Sequence, residues 1–146
     1  MGTRSLTRII PRQEGVAYDK GHEMPEKSLV NIYQQYDGYI EGLGLEYANF
    51  LKDIKIVNGL GPERDLGKVA NGAHCLAAQL IAHMKTEAGY VYLYPLDTID
   101  VGEEYIYTLY PKEGEPTYMS VYDVYTSQVI FVGTPDKLIS KLDSQK

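Results

Sequence analysis

Two arginines near the amino terminus are the residues best placed to hold an anion. Arg4 and Arg8 are four positions apart, so a regular β-strand would present both on one face. A guanidinium group binds phosphate or carboxylate through paired N–H donors, and a tyrosine ring gives a nucleobase a surface to stack on. If the two arginines lie near tyrosine rings, these residues favour an anionic, nucleotide-like ligand. The alternative is a strand whose outer face is simply solvated.

Tyrosine is the unusual component of the chain, with 14 residues among 146, against no Trp and two Phe. Nine of the 14 lie between Tyr90 and Tyr125, and the alternation of a β-strand would place Tyr90, Tyr92 and Tyr94 on one face. Such rings can form a stacking platform or a contact between identical subunits, so we expect a homo-oligomer. They can equally be ordinary strand residues with one end in water.

A polar stripe follows one face of a predicted helix, where Cys75, Gln79, His83 and Glu87 recur every four residues. In a catalytic interpretation His83 is a general base that Gln79 or Glu87 orients. In the simpler interpretation the stripe is the polar edge of a helix. The sequence has no HExxH, CxxC or GxSxG motif. We therefore assign no catalytic residue and expect neither a metal nor a cofactor.

The spacing of apolar residues predicts the elements that must position these side chains. Alternating patterns predict strands at residues 5–10, 29–36, 90–96, 104–110, 117–125 and 128–132. Helical patterns predict helices from Glu41 to about Asn58, from the N-cap Asn71 to about Glu87, and from Pro135 onward. The order ββααββββα predicts an α+β fold, with an antiparallel sheet of about six strands and helices packed on one face.

The length of the chain suits a single domain spanning 1–146, in which the polar residues 11–28 form a mobile loop insert. No apolar run approaches the ~20 residues of a membrane span, so we expect a soluble protein. One cysteine and the lack of a secretory signal favour the cytoplasm. A net charge of -6 argues against duplex nucleic acid as a partner, because neutralising phosphates needs a cationic face.

Several short blocks of sequence, spread over most of the chain, together form a recognisable pattern. They are Thr3-Arg4, Leu6-Thr7, Tyr36-Asp37-Gly38-Tyr39 with Gly42 and Gly44, Ile56-Val57-Asn58-Gly59, Ala70-Asn71-Gly72, Cys75-Leu76-Ala77-Ala78-Gln79-Leu80 with His83 and Lys85, Tyr92-Leu93-Tyr94-Pro95 and Glu104-Tyr105. With these blocks the chain resembles a family of small uncharacterised proteins encoded by tailed bacteriophages and prophages. The resemblance implies a phage accessory protein that acts in the cytoplasm of the bacterial host, and it implies no catalytic residues.

The blocks and the predicted elements together outline a binding site with two walls. The first wall consists of Arg4, Arg8, Tyr36, Gly42 and Gly44, and the second of Gln79, His83 and Lys85. The turn from Gly42 to Gly44 leads into a helix, so its free N–H groups would face an anion. In the alternative, the acidic residues Glu41 and Glu46 occupy that end of the helix as capping residues.

The function that these observations favour is a non-enzymatic counter-defence binder, which sequesters an anionic, nucleotide-like ligand between identical subunits. One alternative is a phosphodiesterase that cleaves a nucleotide signal with His83 as general base. The other is a protein-binding inhibitor of a host enzyme, because a tyrosine-rich sheet and a net charge of -6 suit a protein contact or mimicry of nucleic acid.

Overall fold

A six-stranded mixed sheet forms the centre of the fold in a computed structural model that describes residues 2–13 and 18–145. The strands of the protein are β1 (Ser5–Ile9), β2 (Asn31–Gln34), β3 (Lys55–Val57), β4 (Val69–Asn71), β5 (Val91–Leu93), β6 (Tyr105–Lys112), β7 (Glu115–Asp123) and β8 (Gln128–Gly133). The order across the main sheet is β5-β2-β1-β6-β7-β8. The strands β3 and β4 form a separate two-stranded parallel sheet.

Three α-helices pack on one face of the main sheet: α1 (Leu45–Leu51), α2 (Gly72–Met84) and α3 (Pro135–Ser144). A π-helical turn, Ile40–Gly44, leads directly into α1. Fully buried side chains from the helices and the sheet meet in the core; they include Tyr47, Leu80, Leu138, Ile9, Tyr107 and Val121. The predicted α+β class, with six strands and helices on one face, is confirmed. None of the helices within the described residues is both long enough and apolar enough to cross a membrane.

The strands β1 and β6 run parallel, with Thr7 opposite Tyr107, whereas the other neighbours in the main sheet pair antiparallel. The antiparallel prediction rested on short connections between consecutive strands. Because β1 and β6 are far apart in the sequence, no turn dictates their direction. The amino-terminal strand therefore lies in the middle of the sheet, where its residues are buried on both faces.

The small sheet replaces the last part of the predicted first helix. Its strand β3 pairs in parallel with β4, and Ile56 lies opposite Ala70, both buried. Strands of three residues are too short for their periodicity to distinguish them from helix, so only their mutual pairing reveals them. The predicted N-cap Asn71 does precede α2, but its Oδ1 accepts from the Gly59 N–H at 2.8 Å.

The face of the main sheet opposite the helices is covered by part of the predicted loop insert. Residues 14–17 of that insert lie outside the described chain, and residues 18–28, here named the strap, contain two 3-10 helices, Tyr18–Glu23 and Pro25–Lys27. The imidazole of His22 stacks on the ring of Tyr122, with centroids 3.6 Å apart and an interplanar angle of 11°. The ring of Tyr18 packs against that of Tyr110 at 5.2 Å. The strap thus makes the sheet a buried layer, with helices on one side and 3-10 turns on the other.

Candidate functional site

The structure distributes the eight predicted site residues over separate places. Arg4 and Tyr36 line one cleft, and Gly42 and His83 line another. The residues that line neither of these clefts are Arg8, Gly44, Gln79 and Lys85. The prediction of one pocket with two walls is therefore corrected, because Arg4 and Tyr36 line a different cleft from Gly42 and His83, and the other four residues line neither.

The cleft beside Arg4, here named the arginine cleft, has a volume of about 610 Å³. It is lined by Gly2, Thr3, Arg4, Gln35, Tyr36, Gly102, Glu104 and Tyr125. The guanidinium of the exposed Arg4 has no ion-pair partner among residues 2–13 and 18–145. Two exposed phenol rings line the same cleft, since Tyr36 is 42% and Tyr125 is 78% exposed. A cation with free donors thus shares this cleft with two accessible rings.

Gly102 makes room for the Arg4 side chain in the loop before β6. The backbone of Gly102 has a φ of +84°, in the region where residues with a Cβ are strained. A Cβ here would clash with Nη1 of Arg4 and lie 3.2 Å from its Cδ. A side chain at this position would therefore displace the guanidinium from the cleft.

A pair of stacked tyrosines connects the two clefts. The rings of Tyr36 and Tyr90 have centroids 4.4 Å apart and an interplanar angle of 24°. Tyr36 lines the arginine cleft, and Tyr90 lines the cleft that contains His83. The pair therefore forms an aromatic wall between the two clefts, and the cleft on the Tyr36 side also contains the cation of Arg4.

The second cleft, here named the histidine cleft, has a volume of about 350 Å³. Its lining includes an imidazole, two carboxylates and two phenols, from His83, Glu46, Asp37, Tyr39 and Tyr90. His83 Nε2 lies 2.8 Å from Glu46 Oε1. The two carboxylates make this cleft unfavourable for an anion. Its chemistry is that of a histidine–carboxylate pair, which can hold or move a proton.

The carboxylate partner of His83 is a residue that sequence reasoning missed. The prediction gave the orienting role to Gln79 or Glu87, on the same helix as His83. The structure corrects this, because Glu46 of α1 holds the imidazole from 37 positions away in the chain. No local spacing connects the two residues, so only the packing of α1 beside α2 brings them together.

Gln79 instead connects α2 to the loop before β4. Its Nε2 donates to the carbonyl oxygens of Leu66 at 2.8 Å and Val69 at 3.1 Å. Its Oε1 accepts from the thiol of Cys75 at 3.0 Å. With both ends of the amide occupied and the residue buried, Gln79 has a structural role.

Tyr90 enters the histidine cleft from a strained backbone. Its φ of +70° lies in the left-handed region that a large side chain rarely adopts. Asp37, which lines the same cleft, also has a positive φ of +64°. Burial raises the pKa of Tyr90, and the neighbouring Asp37 carboxylate raises it further. The phenol therefore remains protonated at neutral pH and can donate a hydrogen bond into the cleft.

The glycine turn before α1 does not present free donors to an anion. The N–H of Gly42 donates to Tyr39 O at 3.0 Å, and the N–H of Leu43 donates to Tyr39 O at 2.9 Å. Gly44 is buried, and a Cβ there would lie 2.9 Å from Ile40 Cγ1. The anion-binding prediction for this turn is wrong, because the π-helical turn satisfies these N–H groups internally.

Lys85 closes the connection between α2 and β5. Its Nζ donates to the carbonyl oxygens of Gly89 and Val91, both at 2.9 Å, and lies 5.6 Å from the centroid of the Tyr92 ring. These contacts occupy the ammonium group. Lys85 is therefore not a second cation of the predicted site.

Arg8 is also separated from the arginine cleft. Its side chain has no exposed surface, and its Nη1 donates to His22 O of the strap at 3.3 Å. The spacing of Arg4 and Arg8 predicted a shared face of β1, but it did not predict a covering segment. The strap buries Arg8 and leaves Arg4 exposed.

The partly buried imidazole of His22 is expected to make the stability of the protein dependent on pH. Burial lowers the pKa of His22 from its ordinary value of about 6.5, although Glu23 opposes the shift. The unfolded chain therefore takes up a proton more readily than the folded protein. The contribution of His22 to the free energy of unfolding is therefore expected to be fully present above about pH 6.5. It is expected to decrease as the pH falls toward the pKa of His22 in the folded protein.

This dependence is measured as the urea midpoint between pH 5 and pH 8, for the wild type and for His22→Phe, which keeps an aromatic ring on Tyr122 but does not titrate. We expect the midpoint of His22→Phe to fall less steeply below pH 6.5. Identical profiles for the two proteins would contradict the assignment to His22.

The residues that the structure describes contain no group of three or more His, Cys, Asp or Glu side chains arranged to hold a metal ion. One cleft contains a guanidinium without an ion-pair partner and two phenol rings, and the other contains a histidine–carboxylate pair. The chain matches no protein-family model, and it has no significant match among curated proteins or solved structures.

Proposed function

We propose that the protein is a non-enzymatic binder of an anionic, nucleotide-like ligand, and that the arginine cleft is its site. The observation that carries the proposal is the unpaired guanidinium of Arg4 in the same cleft as the exposed rings of Tyr36 and Tyr125. A phosphate would bind the guanidinium through paired hydrogen bonds, and a base would stack on a phenol ring.

The size and lining of the arginine cleft support a small ligand. Its volume of about 610 Å³ lies within the range of about 300–1,000 Å³ that is usual for ligand pockets. Glu104 adds a carboxylate, which repels a second phosphate but accepts hydrogen bonds from sugar hydroxyls or a base amino group. The lining therefore favours a ligand with one anionic end and a neutral, hydroxyl-bearing remainder.

The biological setting of the proposal rests on the sequence resemblance. A phage accessory protein in the host cytoplasm would counter defence by sequestering a nucleotide signal. Binding between identical subunits is part of the same proposal. Exposed apolar side chains on the edge strand β5 and in the loop after it support it, namely Tyr92, Leu93, Leu96 and Ile99. Native mass spectrometry reports both the subunit number and any retained ligand.

Replacing Arg4 by methionine is expected to weaken nucleotide binding at least ten-fold, because hydrogen bonds to a charged group contribute about 1.5–3 kcal/mol. The probes are nucleoside monophosphates and cyclic dinucleotides, titrated calorimetrically. A nucleotide at a hundred times its Kd should stabilise the wild type by about 2.7 kcal/mol. Arg64→Met removes the same charge from an exposed loop and serves as the control. Equal affinities of Arg4→Met and Arg64→Met would refute the arginine cleft as the site.

The same titration separates a binder from an enzyme. A binder returns the nucleotide unchanged after denaturation, and His83→Gln leaves its affinity unaltered because His83 lies in the other cleft. The pairing of His83 with Glu46 favours hydrolysis as the second candidate function. Recovery of a cleaved nucleotide from the wild type, but of intact nucleotide from His83→Gln, would favour the phosphodiesterase.

A further inference from the structure

A row of four buried polar side chains crosses the main sheet on the face opposite the helices. In neighbouring strands the row runs Asn31, Arg8, Thr108, Ser120, as the strand registers show. None of the four side chains is more than 3% exposed. The neighbouring row contains Tyr33, Leu6 and Ile106 and is largely apolar. A polar row in such a position needs partners, because burying polar groups without hydrogen bonds is costly.

Arg8 lacks the partners that its burial requires. Its Nη1 donates to His22 O at 3.3 Å, while its Nε and Nη2 have no partner. The free Nε–Nη2 edge is one of the two edges through which a guanidinium binds an oxyanion by parallel hydrogen bonds. Beside Arg8, Asn31 donates its Nδ2 to Pro95 O and Thr98 O, and its Oδ1 is also unpartnered.

The charge of Arg8 also lacks a direct ion-pair partner. No carboxylate among the described residues forms an ion pair with it. Burial lowers the pKa of Arg8, whereas Glu103 and Glu26 act in the opposite direction. The oxygens of Glu103 accept from the N–H groups of Val101 at 2.9 Å and Asp100 at 3.2 Å. Because arginine stays protonated in proteins, the cation requires a negative partner rather than only a water molecule.

We propose that Arg8 holds a small inorganic oxyanion, with phosphate as its chemical type, between the sheet and the strap. The Nε–Nη2 edge of Arg8 binds two oxygens of the anion. The anion site is separate from the arginine cleft, and it stabilises the strap because the same guanidinium binds His22 O.

The test is the response of thermal stability to inorganic phosphate, with sodium chloride at matched ionic strength as the reference salt. The melting temperature of the wild type should rise with phosphate concentration relative to chloride, as expected for a ligand that binds only the folded state. Arg8→Met should lose this rise. It is expected to fold, because an unpaired buried charge can usually be replaced by an apolar side chain of similar volume. Arg4→Met should keep the rise, which separates this site from the proposed nucleotide site.

The proposal is overturned if the wild type and Arg8→Met respond equally to phosphate, since that response is a general salt effect. It is also overturned if phosphate and chloride give the wild type the same melting temperature, because ordered water would then occupy the place of the anion. Should Arg8→Met fail to fold, the wild type is exchanged into phosphate-free buffer, denatured and assayed for released anion. Stoichiometric release of an oxyanion then supports the site, and its absence refutes it.

Discussion

Tyr107→Ala is expected to lower the free energy of unfolding by about 3–5 kcal/mol, the range for truncating a large buried aromatic side chain. Tyr107 is fully buried in the centre of β6. Its ring meets that of Tyr47 edge to face, with centroids 5.5 Å apart and an interplanar angle of 85°. Its hydroxyl donates to Gly38 O at 2.7 Å. The truncation removes both contacts and leaves a cavity between the sheet and α1.

Urea denaturation measures the loss, and two further variants divide it. Tyr107→Phe keeps the ring and should lose about 1 kcal/mol, the net contribution of one hydrogen bond. Tyr125→Ala removes a tyrosine that is 78% exposed and should change the stability of the ligand-free protein by less than about 0.5 kcal/mol. If Tyr107→Ala lowered the free energy of unfolding by no more than Tyr125→Ala does, the description of Tyr107 as a buried core residue would be wrong.

The contact between Tyr107 and Gly38 also links the core to the clefts. Gly38 follows Asp37, which lines the histidine cleft, and its N–H donates to Thr3 O next to Arg4. Loss of the hydrogen bond from Tyr107 to Gly38 would therefore loosen the linings of both clefts. We expect Tyr107→Phe to bind nucleotide more weakly than its modest loss of stability alone would suggest.

Gly21→Ala is expected to destabilise the protein by about 2–3 kcal/mol, toward the upper end of the effect of overpacking a buried site. A Cβ on Gly21 would clash with the hydroxyl of Tyr110 and lie 2.6 Å from Thr108 Cγ2. The Tyr110 ring is buried in the sheet, and Thr108 is fixed in the buried polar row, so neither can move aside at little cost. The first 3-10 helix of the strap would have to lift from the sheet.

Urea denaturation gives the change in stability, and hydrogen exchange of the strap shows where it arises. Faster exchange of residues 18–28 than of α2 is expected in Gly21→Ala. The matched control is Gly67→Ala, because a Cβ at this exposed glycine meets only Asp65 Oδ1, at 3.5 Å. Equal stability of Gly21→Ala and Gly67→Ala would show that the strap is not packed against Tyr110 and Thr108.

Local patterns predicted the longer elements of the chain. The strands β6 and β7 and the helix α2 were visible because each is long enough for its residues to show a strand or helix pattern. The same patterns failed at β3 and β4, which are too short to show a period. The parallel pairing of β1 with β6 was likewise invisible, because no turn connects these strands.

The candidate site was predicted only in part, and the reason differs from residue to residue. Arg4 and Tyr36 do line one cleft, as their chemistry suggested. His83 is held by Glu46, a partner that no local spacing identifies. The donors of the Gly42 turn are used by a π-helical turn, which the glycine spacing alone did not reveal. The phage resemblance and the nucleotide ligand remain predictions.

The sequence by itself determined the α+β class and the six strands of the main sheet. Only the tertiary structure decided what covers each face: the strap buries Arg8 and leaves Arg4 in water, although the two arginines are four residues apart. Periodicity depends only on residues that are close in the sequence, so it identifies which side chains share a face of their own helix or strand. The identity of a covering segment depends on contacts between residues distant in the chain, and packing alone selects them.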